Sequence, residues 1–179
     1  VLKKAAFLDR DGTINIDGGY ISTWDRFHFL PGAIDALAKL QDDGYALIVV
    51  TNQSGIGRGL FTERDFFDIT SRLSDELLRI GILILATYHC PHMPSAYCEC
   101  RKPKPGLLLQ AARDHAIDLS QSIMVGDKMT DVEAGIAAGV GNSYLISPAT
   151  YPSLKALVDS FVSDRPGKRQ DDRQFDHKK

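Results

Sequence analysis

A short apolar run, Ala5 to Leu8, stops at Asp9, and the same construction returns twice. Ala46 to Val50 ends at Thr51, and Ile123 to Val125 ends at Gly126-Asp127. Between such runs lie amphipathic stretches, and this alternation specifies an α/β chain built on a parallel sheet. Pro31 and Gly44 bracket a helix with Ile34, Leu37 and Leu40 on one face. Thr62 with Asp65 opens a second helix that runs to about Ile80. Strands are expected over Ile82 to Tyr88 and Tyr144 to Ile146, and helices over Gly106 to Ala116, Asp131 to Ala138 and Leu154 to Val162. A Gly-rich loop through Gly55, Gly57 and Gly59 follows Thr51, and a Pro- and Cys-rich loop covers Cys90 to Pro105. Ligands of open α/β sheets bind beyond the carboxyl ends of the strands, so Asp9, Thr51 and Asp127 are expected in one crevice.

The chain has 179 residues, enough for one domain, expected over 1–163. Residues 164–179 are almost entirely charged or amide and read as a disordered tail. No apolar run approaches the roughly 20 residues that span a bilayer. With 21 basic and 23 acidic side chains there is no basic excess of the kind nucleic-acid binders carry. The N-terminal apolar stretch is too short for a signal peptide. The expectation is a cytoplasmic monomer acting on a small molecule, with no membrane or nucleic-acid partner.

Asp9-Arg10-Asp11-Gly12-Thr13 puts two carboxylates two residues apart at a strand end, and Gly12 lets the chain turn so that both reach one small volume. Two carboxylates together are costly unless a cation neutralises them. Mg²⁺ suits them, because it takes one or two carboxylates and completes its shell with phosphate and water. Asp9, Asp11 and Asp127 are the expected ligands, and Asp131, one helical turn beyond Asp127, is expected to support them.

Three cysteines, Cys90, Cys98 and Cys100, fall within eleven residues together with His92. An odd number cannot all pair internally, and clustering beside histidine points to metal. Three Cys and one His form a closed tetrahedral zinc set, structural because no coordination position stays open. His89, adjacent to Cys90, is expected to point away. Arg101-Lys102-Pro103 follows the last ligand, so zinc would fix two cations beside the crevice. The Arg101 fork is suited to a second anionic group.

Asp9-x-Asp11-x-Thr13, Thr51, Lys102 and Gly126-Asp127-x-x-x-Asp131 resemble, in order, the four motifs of the haloacid-dehalogenase-like (HAD) phosphatases, over residues 5–147. The resemblance implies a Rossmann-like, doubly wound parallel sheet and a phosphatase. It assigns Asp9 as covalent nucleophile, Asp11 as general acid and then base, Thr51 as a phosphoryl hydrogen-bond donor and Lys102 as the compensating charge. The gaps between motifs are too short for a large cap domain, which leaves specificity to three loops: Asp17 to Tyr20, Asn52 to Gly59, and the zinc loop.

Within that superfamily, Leu8 to Asn15, Gly19-Tyr20, Thr51 to Ile56, Cys98-x-Cys100-Arg101-Lys102-Pro103 and Val125 to Lys128 resemble heptose bisphosphate phosphatases. That likeness implies a sugar-bisphosphate substrate. The expected contacts are Asp17, Gly18, Gly19, Tyr20, Thr51, Asn52, Gln53, Ser54, Arg101, Lys102 and Lys128. The alternatives are a histidinol-phosphate phosphatase, whose zinc loop has the short form seen here, and a non-catalytic phosphosugar-binding module.

Overall fold

The computed structural model describes residues 1–163, so the polar tail expected over 164–179 lies outside the described residues. Five strands form one fully parallel sheet: β1 (Ala5–Leu8), β2 (Ala46–Asn52), β3 (Ile84–Cys90), β4 (Ile123–Gly126) and β5 (Asn142–Leu145), in the order β3-β2-β1-β4-β5. The helices are α1 (Ala33–Asp42), α2 (Ser54–Gly57), α3 (Glu63–Arg79), α4 (Gly106–His115), α5 (Met129–Ala138) and α6 (Leu154–Ser163).

Alternation along the strands divides the core in two. Ala6, Leu8, Leu47 and Val49 face Leu37 and Leu40 of α1, Ile69 and Leu73 of α3, and Leu157 of α6. Ala5, Phe7, Ile48 and Val50 face Leu107, Leu108 and Ala111 of α4 and Ala134 of α5. Both faces are covered, which is why the strands can be apolar throughout, and the doubly wound architecture is as expected. From β1 the chain first winds outward through β2 and β3, then returns to lay β4 against the other side of β1. That reversal opens a crevice at the carboxyl ends of β1 and β4.

Helix α3 starts where Thr62 and Asp65 predict. The Thr62 hydroxyl accepts from the Asp65 N–H at 3.1 Å, and the Asp65 carboxylate accepts from the Thr62 N–H at 2.7 Å.

Strand β5 covers Asn142–Leu145 rather than Tyr144 to Ile146, α5 begins at Met129 rather than Asp131, and two further elements differ from expectation. Strand β3 begins two residues late, because the Ile82 N–H closes the end of α3 on the Leu77 carbonyl and the Leu83 N–H donates to Gln41 Oε1. The strand consequently runs on to Cys90, paired with Asn52. The Gly-rich stretch after Thr51 contains one turn of helix, α2, docked on the zinc-loop backbone. Gly57 donates to the Pro91 carbonyl at 2.9 Å, and a Cβ at Gly57 would lie 2.7 Å from that oxygen.

The segment between β1 and α1 is loop with one 3₁₀ turn, Trp24–Arg26, and no cap domain is present among the described residues. No described helix is long and apolar enough to cross a membrane.

Candidate active site

Asp9 leaves the end of β1 with its N–H bonded to the Val125 carbonyl of β4, so the nucleophile candidate is fixed across the switch point. The residue is 5% exposed. Lys102 reaches it from the loop after β3, with Nζ 2.7 Å from Asp9 Oδ1, 2.6 Å from Asp131 Oδ1 and 2.7 Å from the Val50 carbonyl. Three acceptors thus satisfy the three donors of an ammonium that is only 2% exposed. Burial pushes the Asp9 carboxyl up to about 6; Lys102 opposes the rise, and Asp131 and Asp11 add to it. Burial alone would lower the Lys102 ammonium, but the Asp9 and Asp131 carboxylates overcome it and hold it above the usual lysine range.

One oxygen from each of Asp9, Asp127 and Asp131 lies within 4.8 Å of the others. Burial raises the Asp127 carboxyl, and its Oδ1 is buried with no hydrogen-bond partner, the nearest cation being Lys128 Nζ at 3.7 Å. An orphaned carboxylate oxygen beside two other carboxylates fits a divalent cation with oxygen preference. Two glycines permit the approach. A Cβ on Gly12, whose φ is +85°, would lie 2.2 Å from Asp127 Oδ2, and a Cβ on Gly126 would lie 2.2 Å from Asp131 Oδ2.

Asp131, expected as support, lies in this group, while the Asp11 carboxylate, expected among the magnesium ligands with Asp9 and Asp127, faces Arg10, Asn15 and Gln53. Asp11 accepts from Arg10 Nε at 3.2 Å and Nη2 at 2.9 Å, from Asn15 Nδ2 at 2.9 Å and from Gln53 Nε2 at 2.9 Å. Burial would raise this carboxyl, yet the Arg10 charge and the three donors outweigh it and hold it below the usual range. Sequence reasoning assigned Arg10 and Asn15 no role, although both lie inside the Asp9 motif. The signal was an arginine directly after a buried strand, where a charge needs a partner.

Apart from Gly18, every residue expected to contact substrate lines one cleft of about 390 Å3 that also exposes Asp9, Asp11 and Asp131. Several of them have structural partners. Asn52 brackets the Lys102 main chain, donating to its carbonyl and accepting from its N–H, both at 3.1 Å. Gln53 Nε2 donates to Thr51 Oγ1 as well as to Asp11, so it bridges the expected phosphate contact and the expected acid. Lys128 is shared between Asp17 at 3.4 Å and Asp127 at 3.7 Å. Arg26 holds the loop wall, donating to the carbonyls of Gly18 and Gly19. Among the described residues the Arg101 guanidinium makes only one long contact, to the His92 carbonyl at 3.5 Å.

At the end of β3, ligand atoms of Cys90, His92, Cys98 and Cys100 lie within 4.8 Å of one another. Cys90 Sγ is 3.6 Å from Cys98 Sγ and 3.5 Å from His92 Nδ1, which is 3.3 Å from Cys100 Sγ. Zinc bond lengths of about 2.3 Å to sulfur and 2.05 Å to nitrogen give tetrahedral edges of roughly 3.8 and 3.6 Å, so the donor set fits zinc. His89 points away as expected, with Nε2 3.0 Å from Glu63 Oε1 and its ring 4.3 Å from Phe66. Protein purified without chelator should carry about one zinc per chain, and Cys98→Ser should lose most of it. Elemental analysis checks both, and a zinc-free wild type would remove the assignment.

A Helicobacter pylori (strain J99) protein named D-glycero-beta-D-manno-heptose-1,7-bisphosphate 7-phosphatase is 48% identical over 166 residues, spanning 87% of this chain and 95% of its own length. One of the same name from Photorhabdus laumondii is 46% identical over 174 residues, covering 90% and 93%. The chain belongs to this heptose bisphosphate phosphatase family. A crystal structure of D,D-heptose 1.7-bisphosphate phosphatase from B. bronchiseptica, complexed with magnesium and phosphate, superimposes with a TM-score of 0.81 at 30% identity, covering 90% of this chain and 99% of that one. Residues 99–145 match a family model described as "HAD-hyrolase-like". As a member of this family the chain is a phosphoric monoester hydrolase.

Proposed function

We propose that the enzyme removes the 7-phosphate of D-glycero-D-manno-heptose 1,7-bisphosphate through a phosphoryl group carried on Asp9. An Asp9 carboxylate oxygen attacks phosphorus while the bond from phosphorus to the sugar oxygen breaks, and Asp11, which must first take a proton from solvent against the donors that hold it as a carboxylate in the free cleft, gives that proton to the departing oxygen. Asp11, now a carboxylate, takes a proton from water, whose oxygen displaces Asp9 and leaves inorganic phosphate. Lys102 balances the negative charge gathered around Asp9, and Thr51 donates to a phosphoryl oxygen. Asp9 and Asp127, with Asp131 beside them, would hold a magnesium ion, which would supply charge neutralisation at the phosphoryl oxygens. The product keeps its 1-phosphate, the form a nucleotidyl transfer needs, which suits nucleotide-heptose and lipopolysaccharide precursor synthesis. The relatives' names support the β anomer at C1.

The observation that carries the substrate reading is the second positive centre. Lys102 is committed to Asp9 and Asp131, and Lys128 to two carboxylates, whereas Arg101 lines the same cleft with no carboxylate partner among the described residues. A phosphate remote from the reacting one fits it, and such binding energy can orient the reacting end. Arg101→Ala should therefore penalise the bisphosphate more than a simple monophosphate ester. The expected differential loss in kcat/KM is about ten- to a hundredfold, the worth of a charge-assisted fork of ~1.5–3 kcal/mol. Phosphate-release kinetics on both substrates decide it. Equal losses would place Arg101 on the transferring phosphate, and histidinol phosphate outperforming the bisphosphate would replace the substrate reading.

A further inference from the structure

Arg10 is 1% exposed and does not line the cleft. A buried guanidinium is expensive unless it is paired, and a fold that tolerates one is using its geometry. Arg10 spends its fork on the neighbouring residue: Nε and Nη2 both point at the Asp11 carboxylate, Nη2 reaching both oxygens at 3.1 and 2.9 Å. A planar fork against a planar carboxylate fixes rotation about the last side-chain bond, which a point charge such as lysine does not. The guanidinium is itself seated. Its Cζ stands 5.6 Å from the Phe66 ring, and Phe66 is backed by His89, which Glu63 holds. Nη1 has no hydrogen-bond partner and is buried, so it is out of reach of substrate.

We propose that Arg10 is a positioning residue, which aims the Asp11 carboxyl at the departing sugar oxygen without touching substrate. The proposal rests on the reading of Asp11 as the proton donor. Asn15, fully buried, shares the task on Oδ1. Of the three residues that donate to Asp11, only Gln53 lines the cleft, and it also holds Thr51. The Thr51 hydroxyl accepts from Gln53 and so keeps its own proton to donate to a phosphoryl oxygen, which lets Gln53 stay on Asp11 when phosphate binds. Arg10 and Asn15 stay in place and keep the direction of transfer.

The readout is the dependence of kcat/KM on the leaving group, because kcat/KM covers the steps through phosphorylation of Asp9. Phosphate monoesters are compared from p-nitrophenyl phosphate, whose leaving group needs little protonation, to sugar phosphates, whose leaving group needs much. Arg10→Lys keeps the charge and loses the fork. It should lower kcat/KM for the sugar phosphates by about 10²-fold, the scale of a misaimed catalytic group, and for p-nitrophenyl phosphate by less than about fivefold. A uniform loss across the series, as from a merely structural residue, overturns the proposal. Asp11→Asn is run beside it. A steep dependence for Asp11→Asn with a flat one for Arg10→Lys defeats the positioning role and spares the acid. A flat dependence for Asp11→Asn defeats the acid assignment, and the proposal with it. If Arg10→Lys does not fold, Phe66→Leu leaves Arg10, Asn15 and Gln53 chemically unchanged while removing the ring against which the guanidinium is seated. It should tilt the dependence the same way, by about tenfold at the sugar end, and a flat series there also overturns the proposal.

Discussion

Asp9→Asn is expected to abolish turnover, by on the order of 10³-fold or more, while the fold survives. The amide keeps the shape of the carboxylate but cannot displace at phosphorus, and it removes one charged member of the Asp9, Asp127 and Asp131 group. Lys102 retains Asp131 at 2.6 Å, so the buried cation is not orphaned. The variant should even gain stability when magnesium is absent. Burial lifts the wild-type Asp9 carboxyl to about 6 from an ordinary value of 3.8, so the folded state holds that proton more tightly than the unfolded chain does. Wild-type stability from this group is therefore fully present below the lower value and is lost as pH rises through the upper one. Asn has no such loss, and its advantage in Tm should open between pH 4 and pH 7 in magnesium-free buffer. Phosphate release and thermal melts check the two halves. Turnover within tenfold of wild type would remove Asp9 as nucleophile, and a pH-independent Tm gap would remove the account of its burial.

Lys102→Met should damage both stability and rate. The ammonium is the shared partner of two buried carboxylates and of the Val50 carbonyl, all within 2.7 Å. A methionine of similar length leaves Asp9 and Asp131 facing each other without a cation. Removing one partner of a buried pair costs about 3–5 kcal/mol. For a domain of this size that corresponds to a fall in Tm of roughly 10 °C or more. The lost charge compensation at phosphorus should cost a further 10²- to 10³-fold in kcat, as estimated for a removed electrostatic donor. Magnesium should recover part of the stability, because the same carboxylates can share that cation, and little of the rate. Melts with and without magnesium, alongside phosphate release, test this. A Tm within about two degrees of wild type would show that Lys102 does not hold the acids together.

Much of the fold followed from local rules that need no partner. The capping box at Thr62, the helix over Ala33–Asp42 and the apolar runs ending at Asp9 and Asp127 depend on residues a few positions apart, so they were legible one after another. Strand β3 was misplaced by two residues because its start is set by Gln41 and Leu77, which cap Leu83 and Ile82 from other elements.

The sequence alone determined which side chains gather at the strand ends, since strand ends of a parallel sheet share one crevice whatever the loops do. It likewise determined that Cys90, His92, Cys98 and Cys100 cluster, since a short loop keeps them close. What only the tertiary structure decided is the direction in which each gathered group faces. Asp11 and Asp131 are both carboxylates near Asp9, and nothing in their spacing says which one stands with Asp9 and Asp127. Arg10, Asn15 and Gln53 take Asp11 away from it, while Lys102, arriving from beyond β3, draws Asp131 in beside Asp9. Those partners are up to 93 residues apart in the chain, and a hydrogen bond a few ångströms long is fixed only when the sheet, the helices and the loop after β3 have been packed together.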